Sequence, residues 1–270
     1  MAVLIASSCR DRAALNIADK IQRHLQFIDS GMRFDGFPIL RNGNLLLVTV
    51  ESDSIYASGL DEIPGAESVI FASRHSSSSG QSTLTVHVPG NPLREARYGG
   101  EPESLAVADP LRMRAALIRL KSEVAERVVS YHVSLEATHH GPTEMDIPVT
   151  FVEIGSGPMQ WEDPVAGDIV ARAILDAAES TSTLRAAVGF GGGHYAPKFT
   201  DFVLEQNIGI GHIFPRYCTH ELADTVVDLA FKRTEGTCTL AVIDRKGIQG
   251  ADRERIISIL SRLGVETCRA

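Results

Sequence analysis

The sequence predicts an α/β protein with a mixed, largely parallel sheet that is flanked by helices on both faces. Three observations indicate this class. An apolar, strand-like run opens the chain, and a helical stripe of apolar residues follows it. From about residue 129 onward, strand patterns and helix patterns alternate. Two Asp-Pro pairs, at 109–110 and 163–164, mark helix starts, because Asp caps the first turn and Pro suits the first helical position.

The first hundred residues predict one helix among several short strands. The run Val3 to Ala6 is typical of a buried strand, and apolar positions at helical spacing between Asp11 and Phe27 predict a helix. Further strands are expected at 45–50, 68–72 and 84–88. The segments between them are rich in Gly, Pro, Asn and Ser, so we expect this part of the chain to be rich in loops.

The rest of the chain predicts helices that alternate with parallel strands. A helix begins at Asp109-Pro110, a strand is expected at 131–137, and another helix begins at Asp163-Pro164. A strand then enters the segment 184–197, and helices are expected at about 219–233 and 252–263, with the strand 239–243 between them. No repeat of roughly 20 to 50 residues occurs. We therefore expect a single domain over 1–270, with its softest boundary near 99–107.

Length, charge and cysteine content exclude several functional classes. The 270 residues are 44% hydrophobic, which is enough for a substantial core. With 26 basic and 34 acidic residues the formal charge is −8, so nucleic acid would have to meet a local basic patch. The cysteines form no Cys-x-x-Cys pair, which argues against a zinc ribbon and a disulfide framework. No signal-peptide pattern and no run of roughly 18 apolar residues is present, so we expect a cytoplasmic protein without membrane contact.

The segment 184–197, LRAAVGFGGGHYAP, carries the strongest functional signal. An apolar strand leads into Gly191, Gly192 and Gly193, and His194 and Tyr195 follow. The spacing does not match G-x-G-x-x-G, and no Lys-Ser or Lys-Thr follows as it does in a P-loop. The glycines are therefore predicted to offer free backbone N–H groups to an oxyanion or a phosphate, with His194 beside them. A tight strand-to-helix turn without a ligand is the alternative.

Two other strand ends also carry histidines. His139 and His140 stand immediately before Gly141-Pro142, and His212 lies in the segment IGIGHI at 208–213. Adjacent residues of a strand face opposite sides, so His139 and His140 can serve one site only if the chain turns there. Three junctions of this kind suggest one shared site.

Three carboxylates and two more histidines complete the set of titratable candidates. Glu136, Glu144 and Glu153 are close enough in sequence to His139 to orient an imidazole or to share a metal ion. No His-Glu-x-x-His signature occurs, so the residues alone make a metal site the less favoured interpretation. His75, in SRHSSSSG, and His87, in HVPGN, are each expected to be structural when considered singly. No nucleophile elbow is present, so a hydrolytic function would use direct attack by water.

The motifs SRHSS, HVPGN, ATHHGPTE, VGFGGGHYAPKFT and GHI occur in this order across most of the chain. Together they resemble the D-aminoacyl-tRNA deacylase family of archaea and plants, most clearly over 74–213, and not the bacterial-type enzyme of the same reaction. The resemblance implies hydrolysis of the ester that joins a D-amino acid to the 3′-terminal ribose of tRNA. It also implies a phosphorylase/hydrolase-type α/β fold related to peptidyl-tRNA hydrolase, and a zinc requirement.

Site roles are hypotheses from the chemistry of the ester hydrolysis that the resemblance implies. The backbone N–H groups of Gly191, Gly192 and Gly193 would receive the oxyanion or a terminal phosphate, and His140 or His194 would assist proton transfer. The residues that would hold zinc, or orient a catalytic imidazole, are His139, His140, Glu144 and His212. We expect the enzyme to be a monomer. The residues expected to bind its tRNA substrate are Arg74, His75, Asn91, Tyr195, Lys198 and Arg216.

Other functions stay open at this point. A nucleoside phosphorylase or a metal-dependent peptidase on a similar sheet would need a phosphate or peptide pocket instead of an open groove for an RNA end. A tRNA-end or nucleotide-binding module without catalysis belongs to a different class. It would bind charged tRNA and release no amino acid.

Overall fold

The computed structural model describes residues 1–270 and contains fourteen strands and seven helices. The first half of the chain contributes β1 (Ala2–Ser8), α1 (Arg12–His24), β2 (Ile28–Phe34), β3 (Phe37–Asn42), β4 (Leu45–Val50), β5 (Ala66–Ser76), β6 (Thr83–His87), β7 (Gly90–Asn91), β8 (Ser104–Leu105) and α2 (Pro110–Arg127). The second half contributes β9 (His132–Leu135), β10 (Val149–Ser156), α3 (Pro158–Trp161), α4 (Pro164–Glu179), β11 (Arg185–Phe190), α5 (Pro197–Glu205), β12 (Ile208–Phe214), α6 (Asp224–Lys232), β13 (Cys238–Ile243), α7 (Gly250–Arg262) and β14 (Glu266–Arg269).

Eight strands form the larger sheet, in the order β2-β3-β4-β1-β5-β10-β6-β9. The central strands β4, β1, β5 and β10 are parallel to one another. β6 and its neighbour β9 are parallel to each other, and β6 runs antiparallel to β10. At the other edge, β2, β3 and β4 form antiparallel pairs. Hairpins and crossover connections thus both contribute strands, which makes the sheet mixed.

The two faces of this sheet differ in polarity along β5, β10 and β6. Residues two apart in a strand share a face, and residues paired across the register share it too. One face carries Phe151, Glu153 and Gly155 of β10, paired with Phe71, Ser73 and His75 of β5 and with His87, Thr85 and Thr83 of β6. The opposite face of β10 carries Val152 and Ile154, which are fully buried. The helices α1, α2 and α4 contact these three strands.

A smaller sheet of four parallel strands, β12-β11-β13-β14, lies against the segment that follows β9. The Ala137 N–H donates to the His194 carbonyl at 2.8 Å, and the Thr138 N–H donates to the Ile213 carbonyl at 2.9 Å. Both sheets contribute to a shared hydrophobic core of 52 buried residues, and a second cluster of 15 lies within the smaller sheet and its helices. The carboxyl ends of β11 and β12 are therefore fixed next to residues 137–138.

The mixed α/β class and most of the expected elements are confirmed. Both predicted N-caps form: the Arg112 N–H donates to Asp109 Oδ1 at 2.9 Å, and the Val165 N–H donates to Asp163 Oδ1 at 2.8 Å. The alternation of strands and helices after residue 129 is also present. The division of the strands into two sheets was not expected, because a run of elements in sequence does not show which strands pair.

Two expectations about the elements were wrong, and some strands were missed. The first hundred residues are not chiefly loops, since they supply six of the eight strands of the larger sheet, β1 to β6. The helix expected from residue 219 begins only at Asp224, because 215–223 forms turns. The hairpin β2–β3 and the last strand, β14, were not foreseen. None of the helices combines the length and the apolar content that crossing a membrane would require.

Candidate active site: a histidine cluster around Glu136

The centre of the candidate site is the carboxylate of Glu136, which follows β9 and is 1% exposed. Four imidazole nitrogens lie within 3.8 Å of its two oxygens: His75 Nδ1 at 3.2 Å, His194 Nε2 at 3.5 Å, His87 Nδ1 at 3.6 Å and His139 Nε2 at 3.8 Å. These histidines come from β5, from the end of β6, from the segment after β9 and from the loop after β11. The fold thus gathers four separate parts of the chain on one carboxylate.

The Glu136 carboxylate has near neighbours but no well-aligned hydrogen bond. Both of its oxygens, and Nδ1 of His87, are buried without a hydrogen-bond partner, since two of the four imidazole nitrogens lie beyond 3.5 Å and the other two contacts lack hydrogen-bond geometry. Buried polar atoms are nearly always satisfied, and an unsatisfied one costs about 1–3 kcal/mol. A group of such atoms at one place indicates a position for a cation or a ligand.

Charge accumulates on two members of this cluster. Burial alone would raise the pKa of the Glu136 carboxyl, but the imidazoles of His194 and His75 hold it well below its usual range. Burial opposes protonation of His75, and the carboxylates of Glu136 and Glu153 overcome it, so the pKa of His75 rises to about 11. Burial raises the pKa of Glu153 to about 7, with the Glu136 charge adding to the effect. At neutral pH, Glu136 and His75 therefore form an ion pair.

His139 and His140 are held in one tautomer by backbone carbonyls. His139 Nδ1 lies 2.7 Å from the Ala137 carbonyl, and His140 Nδ1 lies 2.6 Å from the Gly141 carbonyl. A carbonyl oxygen only accepts, so both Nδ1 atoms must donate and both Nε2 atoms carry a lone pair when the rings are neutral. Burial lowers the pKa of His139 to about 4 and that of His140 well below its usual value. At neutral pH the Nε2 lone pair of His139 faces the Glu136 carboxylate, and that of His140 lies 3.2 Å from Nε2 of His87.

The geometry of these lone pairs suits a metal ion. His87, His139 and His140 place their ligand atoms within 4.8 Å of one another, as do the set His75, Glu136 and His194 and the set His87, Glu136 and Glu153. A ring nitrogen that donates to a carbonyl while the other faces the centre is the usual arrangement of a metal-binding histidine. His87 itself is fully buried and stacks between His139 and Phe151, at centroid distances of 4.4 and 5.2 Å.

An open cavity of about 490 Å³ gives access to this cluster. Its lining includes His75, His139, His140, Glu153 and His194. Asp11, the segments 53–55 and 73–74, Ser76 and Tyr98 also line it. The absence of a side chain at Gly155 is needed here, because a Cβ at that position would lie 2.9 Å from His75 Cδ2. The site therefore combines the polar face of the larger sheet, which supplies His75, His87 and Glu153, with residues from the segments that follow β9 and β11, namely Glu136, His139, His140 and His194.

The triple glycine only partly fulfils its expected role. The Gly191 N–H donates to the Phe214 carbonyl at 2.8 Å, and the Gly192 N–H donates to the Gly247 carbonyl at 2.9 Å. These two amides are used to hold the loop in place, so the expectation that they receive an oxyanion does not hold. Only the Gly193 N–H has no protein acceptor.

Two residues expected to bind metal do not reach the cluster. His212 is fully buried, with Nε2 3.3 Å from the Arg233 carbonyl and Nδ1 3.3 Å from Thr138 Oγ1, so protein groups occupy both of its nitrogens. Glu144 is exposed and accepts the Thr143 N–H at 2.9 Å. Neither belongs to a group of residues that could share an ion, and Glu136 occupies the position expected for Glu144.

The residues expected to bind substrate divide into two groups. Arg74, His75 and Tyr195 lie at or beside the cavity: the Tyr195 hydroxyl is 3.0 Å from His75 Nε2, and Arg74 pairs with Asp53 at 3.2 Å. Asn91 lies elsewhere, because it is buried and its amide donates to the carbonyls of Gly99 and Glu101 at 2.8 and 3.3 Å.

The two remaining cations differ in their surroundings. Lys198 forms an ion pair with Asp244, a contact that satisfies its ammonium group. Arg216 is exposed and has no acidic partner, although its N–H donates to the Gly192 carbonyl at 3.0 Å. Of these two, Arg216 is the one that is free to contact a phosphate.

Sequence reasoning undervalued Glu136 and His87. His87 was interpreted as a half-buried strand residue, and Glu136 was one of three carboxylates without a preferred role. A signal was present in β10, where the apolar Val152 and Ile154 alternate with the titratable Glu153. This alternation marks a sheet with one polar face, and the same period places His75 and His87 on that face.

A buried histidine–carboxylate cluster beneath an open cavity defines an α/β enzyme whose site is built for acid–base or metal-assisted hydrolysis. A family model described as D-aminoacyl-tRNA deacylase matches residues 63–268. The chain belongs to this family, as its similarity to curated members also shows.

Three relatives and one solved structure illustrate this similarity. The D-aminoacyl-tRNA deacylase of Methanosarcina acetivorans is 42% identical over 84% of this chain and 77% of its own. That of Methanosarcina mazei is 38% identical over 99% and 92%, and that of Thermococcus kodakarensis is 38% identical over 96% and 96%. The crystal structure of a conserved protein of unknown function is 32% identical, with a TM-score of 0.92 and coverage of 99% of this chain and 95% of that one.

Proposed function

We propose that this protein hydrolyses the ester bond between a D-amino acid and the 3′-terminal ribose of tRNA, releasing the free D-amino acid and tRNA. The observation that carries the proposal is the cluster of imidazoles around Glu136 at an open cavity, in a chain of the D-aminoacyl-tRNA deacylase family. The family supplies the substrate class. The cluster supplies a means of hydrolysis without a covalent intermediate.

An aminoacyl ester is already activated, so the enzyme mainly has to orient a water molecule and stabilise the tetrahedral oxyanion. His194 lines the cavity, and its Nε2 lies 3.5 Å from Glu136 Oε2, so Glu136 can orient it as it takes a proton from the water. In the absence of a bound metal ion, His140, whose Nε2 carries a lone pair and lies 3.2 Å from His87 Nε2, is the second proton acceptor. The unbonded N–H of Gly193 is the oxyanion donor that the triple glycine retains.

The residues present also fit zinc, which the family resemblance implies. Three neutral imidazoles and an unsatisfied carboxylate form a donor set that zinc prefers. We propose that His87, His139 and His140 would hold the ion, with Glu136 beside them. When bound, zinc supplies Lewis-acid polarisation of the ester carbonyl and lowers the pKa of a bound water molecule.

Substrate contacts follow from which polar groups are free. Arg216 is proposed to meet a phosphate of the acceptor end, because no protein carboxylate neutralises it. His75 and Tyr195, joined by their 3.0 Å contact, are proposed to position the aminoacyl group beside Glu136. A cytoplasmic location and a monomeric state remain proposals, the first in keeping with four free cysteines.

The proposal is tested by following deacylation of D-tyrosyl-tRNA and L-tyrosyl-tRNA by the same preparation, with and without a chelator. We expect release of D-tyrosine, little release of L-tyrosine, and a loss of activity on chelation that added zinc restores. Elemental analysis of the purified protein, and of the variant His139→Ala, measures metal content independently of activity.

The opposite outcomes are equally clear. Tight binding of charged tRNA without release of amino acid would indicate a binding module. Equal rates on both stereoisomers would refute chiral selection. Full activity in protein shown to be free of metal would refute the zinc assignment and leave the imidazoles as the catalytic groups.

A further inference from the structure

Few aromatic rings of this protein are exposed, and one of them lines the catalytic cavity. The chain has ten Phe, one Trp and five Tyr, and only three of these rings are largely exposed: Tyr98 at 65%, Tyr56 at 55% and Tyr217 at 54%. An exposed aromatic ring indicates a ligand where it lines a cavity or belongs to a larger apolar patch. Of the three, Tyr98 is the ring that meets this condition at the catalytic cavity.

The three tyrosines differ in their relation to the catalytic cavity, and only Tyr98 lines it. Tyr98 lines it together with His139, His140 and His194. Tyr56 follows the lining residues 54–55, and its ring lies behind the loop of Tyr98, since a Cβ at Gly99 would be 3.2 Å from Tyr56 Cδ1. Tyr217 follows the unpaired Arg216, whose N–H bonds the glycine loop that precedes His194.

The backbone of Tyr98 is fixed although its side chain is exposed. Its carbonyl accepts the Gly141 N–H at 2.9 Å, which ties it to the residue that follows His140. On the other side, the Asn91 amide donates to the Gly99 carbonyl at 2.8 Å, and the Glu101 N–H donates to Thr143 Oγ1 at 2.9 Å. The ring is therefore held beside the catalytic histidines at no further cost in backbone entropy on binding.

We propose that Tyr98 is a positioning residue that stacks against the 3′-terminal adenine of the tRNA. The inference rests on the proposed function, in which the ester on the terminal ribose must reach His194 and Glu136. The adenine is attached to that same ribose, so it lies at the cavity mouth whenever the ester is at its floor. Proteins recognise single-stranded RNA ends chiefly by stacking unpaired bases on aromatic rings, with nearby cations on the phosphates. Tyr98 supplies the ring, and Arg216 supplies the cation.

The test compares Tyr98→Ala, Tyr98→Leu and Tyr98→Phe by steady-state kinetics on D-tyrosyl-tRNA. We expect KM to rise about 5- to 150-fold in the Ala and Leu variants, since a stacked base contributes about 1–3 kcal/mol. kcat should change little, because no reacting atom is touched. Tyr98→Phe, which keeps the ring and loses the hydroxyl, should behave as the wild type. Ile28→Ala is the control, because Ile28 is also 65% exposed but lies on the edge strand β2.

A second readout does not depend on turnover. The dissociation constants of the trinucleotide CpCpA, and of the same molecule with an abasic 3′ ribose, are measured for the wild type and Tyr98→Ala. The wild type should bind CpCpA about 5- to 150-fold more tightly than the abasic molecule. Tyr98→Ala should bind the two molecules equally.

An unchanged KM and unchanged trinucleotide binding in Tyr98→Ala would overturn the inference, and so would a Leu variant as good as Phe. If the wild type does not cleave D-tyrosyl-tRNA, the proposed function fails, and the trinucleotide titration still decides the role of Tyr98.

Discussion

The cluster around Glu136 and the surroundings of His212 are adjacent in the fold. They differ in whether the polar atoms of their buried side chains have protein hydrogen-bond partners. Thr138, which lies between Glu136 and His139 in sequence, donates its hydroxyl to His212 Nδ1, while His139, the next residue, faces Glu136. Both nitrogens of His212 have protein partners, whereas Glu136 and His87 retain buried polar atoms without any. A satisfied buried histidine stabilises the fold, and an unsatisfied group indicates a position reserved for a ligand.

The pKa values alone would not separate these two regions. Burial lowers the pKa of His212 to about 4, and burial lowers that of His139 to the same value. A perturbed pKa therefore shows that a group is buried and not that it takes part in catalysis. His139 differs because the lone pair on its neutral Nε2 faces the Glu136 carboxylate. In His212 the lone pair is on Nδ1 and faces the hydroxyl of Thr138, which is a donor.

The largest effect that this comparison predicts is that of Glu136→Gln. The amide keeps the shape of the side chain and removes the charge that orients His194 and balances His75. We expect kcat on D-aminoacyl-tRNA to fall by about 10²- to 10⁴-fold, the usual size of an acid–base contribution. His212→Gln is the matched control, because its amide can still donate to the Arg233 carbonyl, and we expect its kcat to be unchanged.

Both variants should keep the fold, as circular dichroism and a thermal melt can check. Near-wild-type turnover in Glu136→Gln would contradict the assignment of Glu136 to the catalytic centre. A large loss in His212→Gln, with the fold intact, would show that satisfied hydrogen bonds do not mark a structural role here.

Local signals explain which parts of the fold the sequence could predict. The caps Asp109 and Asp163 depend on neighbouring residues only, so they were predictable and are confirmed. The missed hairpin β2–β3 also had a local signal: Asp35-Gly36 forms its turn, and both residues have positive φ, 49° and 80°.

Long-range geometry explains what the sequence could not show. The convergence of His139, His140 and His194 was predicted, and their rings meet at centroid distances of 4.4 and 4.8 Å. The position of Glu136 among four imidazoles depends on how two sheets meet, as does the isolation of His212. No pattern within one segment contains that information.

A smaller effect concerns stability and pH. The pKa of His212 is about 4 in the folded protein and near 6.5 in the unfolded chain, so between these values only the unfolded state takes up a proton. The free energy of unfolding should therefore fall as the pH falls from 6.5 to 4, by up to about 3 kcal/mol from this residue. His212→Gln removes the contribution. Denaturant unfolding at several pH values should show the wild type losing more stability on acidification than the variant.

Parallel pH dependence in the two proteins would contradict the neutral, hydrogen-bonded state of His212. The other depressed histidines are common to both, so their contributions cancel in the difference.

The smallest effect extends the comparison from buried groups to surface charges. Lys198 is already neutralised by Asp244, whereas Arg216 has no acidic partner, so only Arg216 can release a counterion when a phosphate binds. We expect Arg216→Ala to reduce the dependence of log KM on log salt by about 0.7, the value for one phosphate contact on a single strand. Lys198→Ala should leave that slope unchanged.

The measurement is KM for D-aminoacyl-tRNA between low and moderate salt, and equal slopes for Arg216→Ala and the wild type would show that the phosphates lie elsewhere. A reduced slope in Arg216→Ala alone would show that the rule holds at the surface as well: groups that the fold leaves without a partner are the ones available to the substrate.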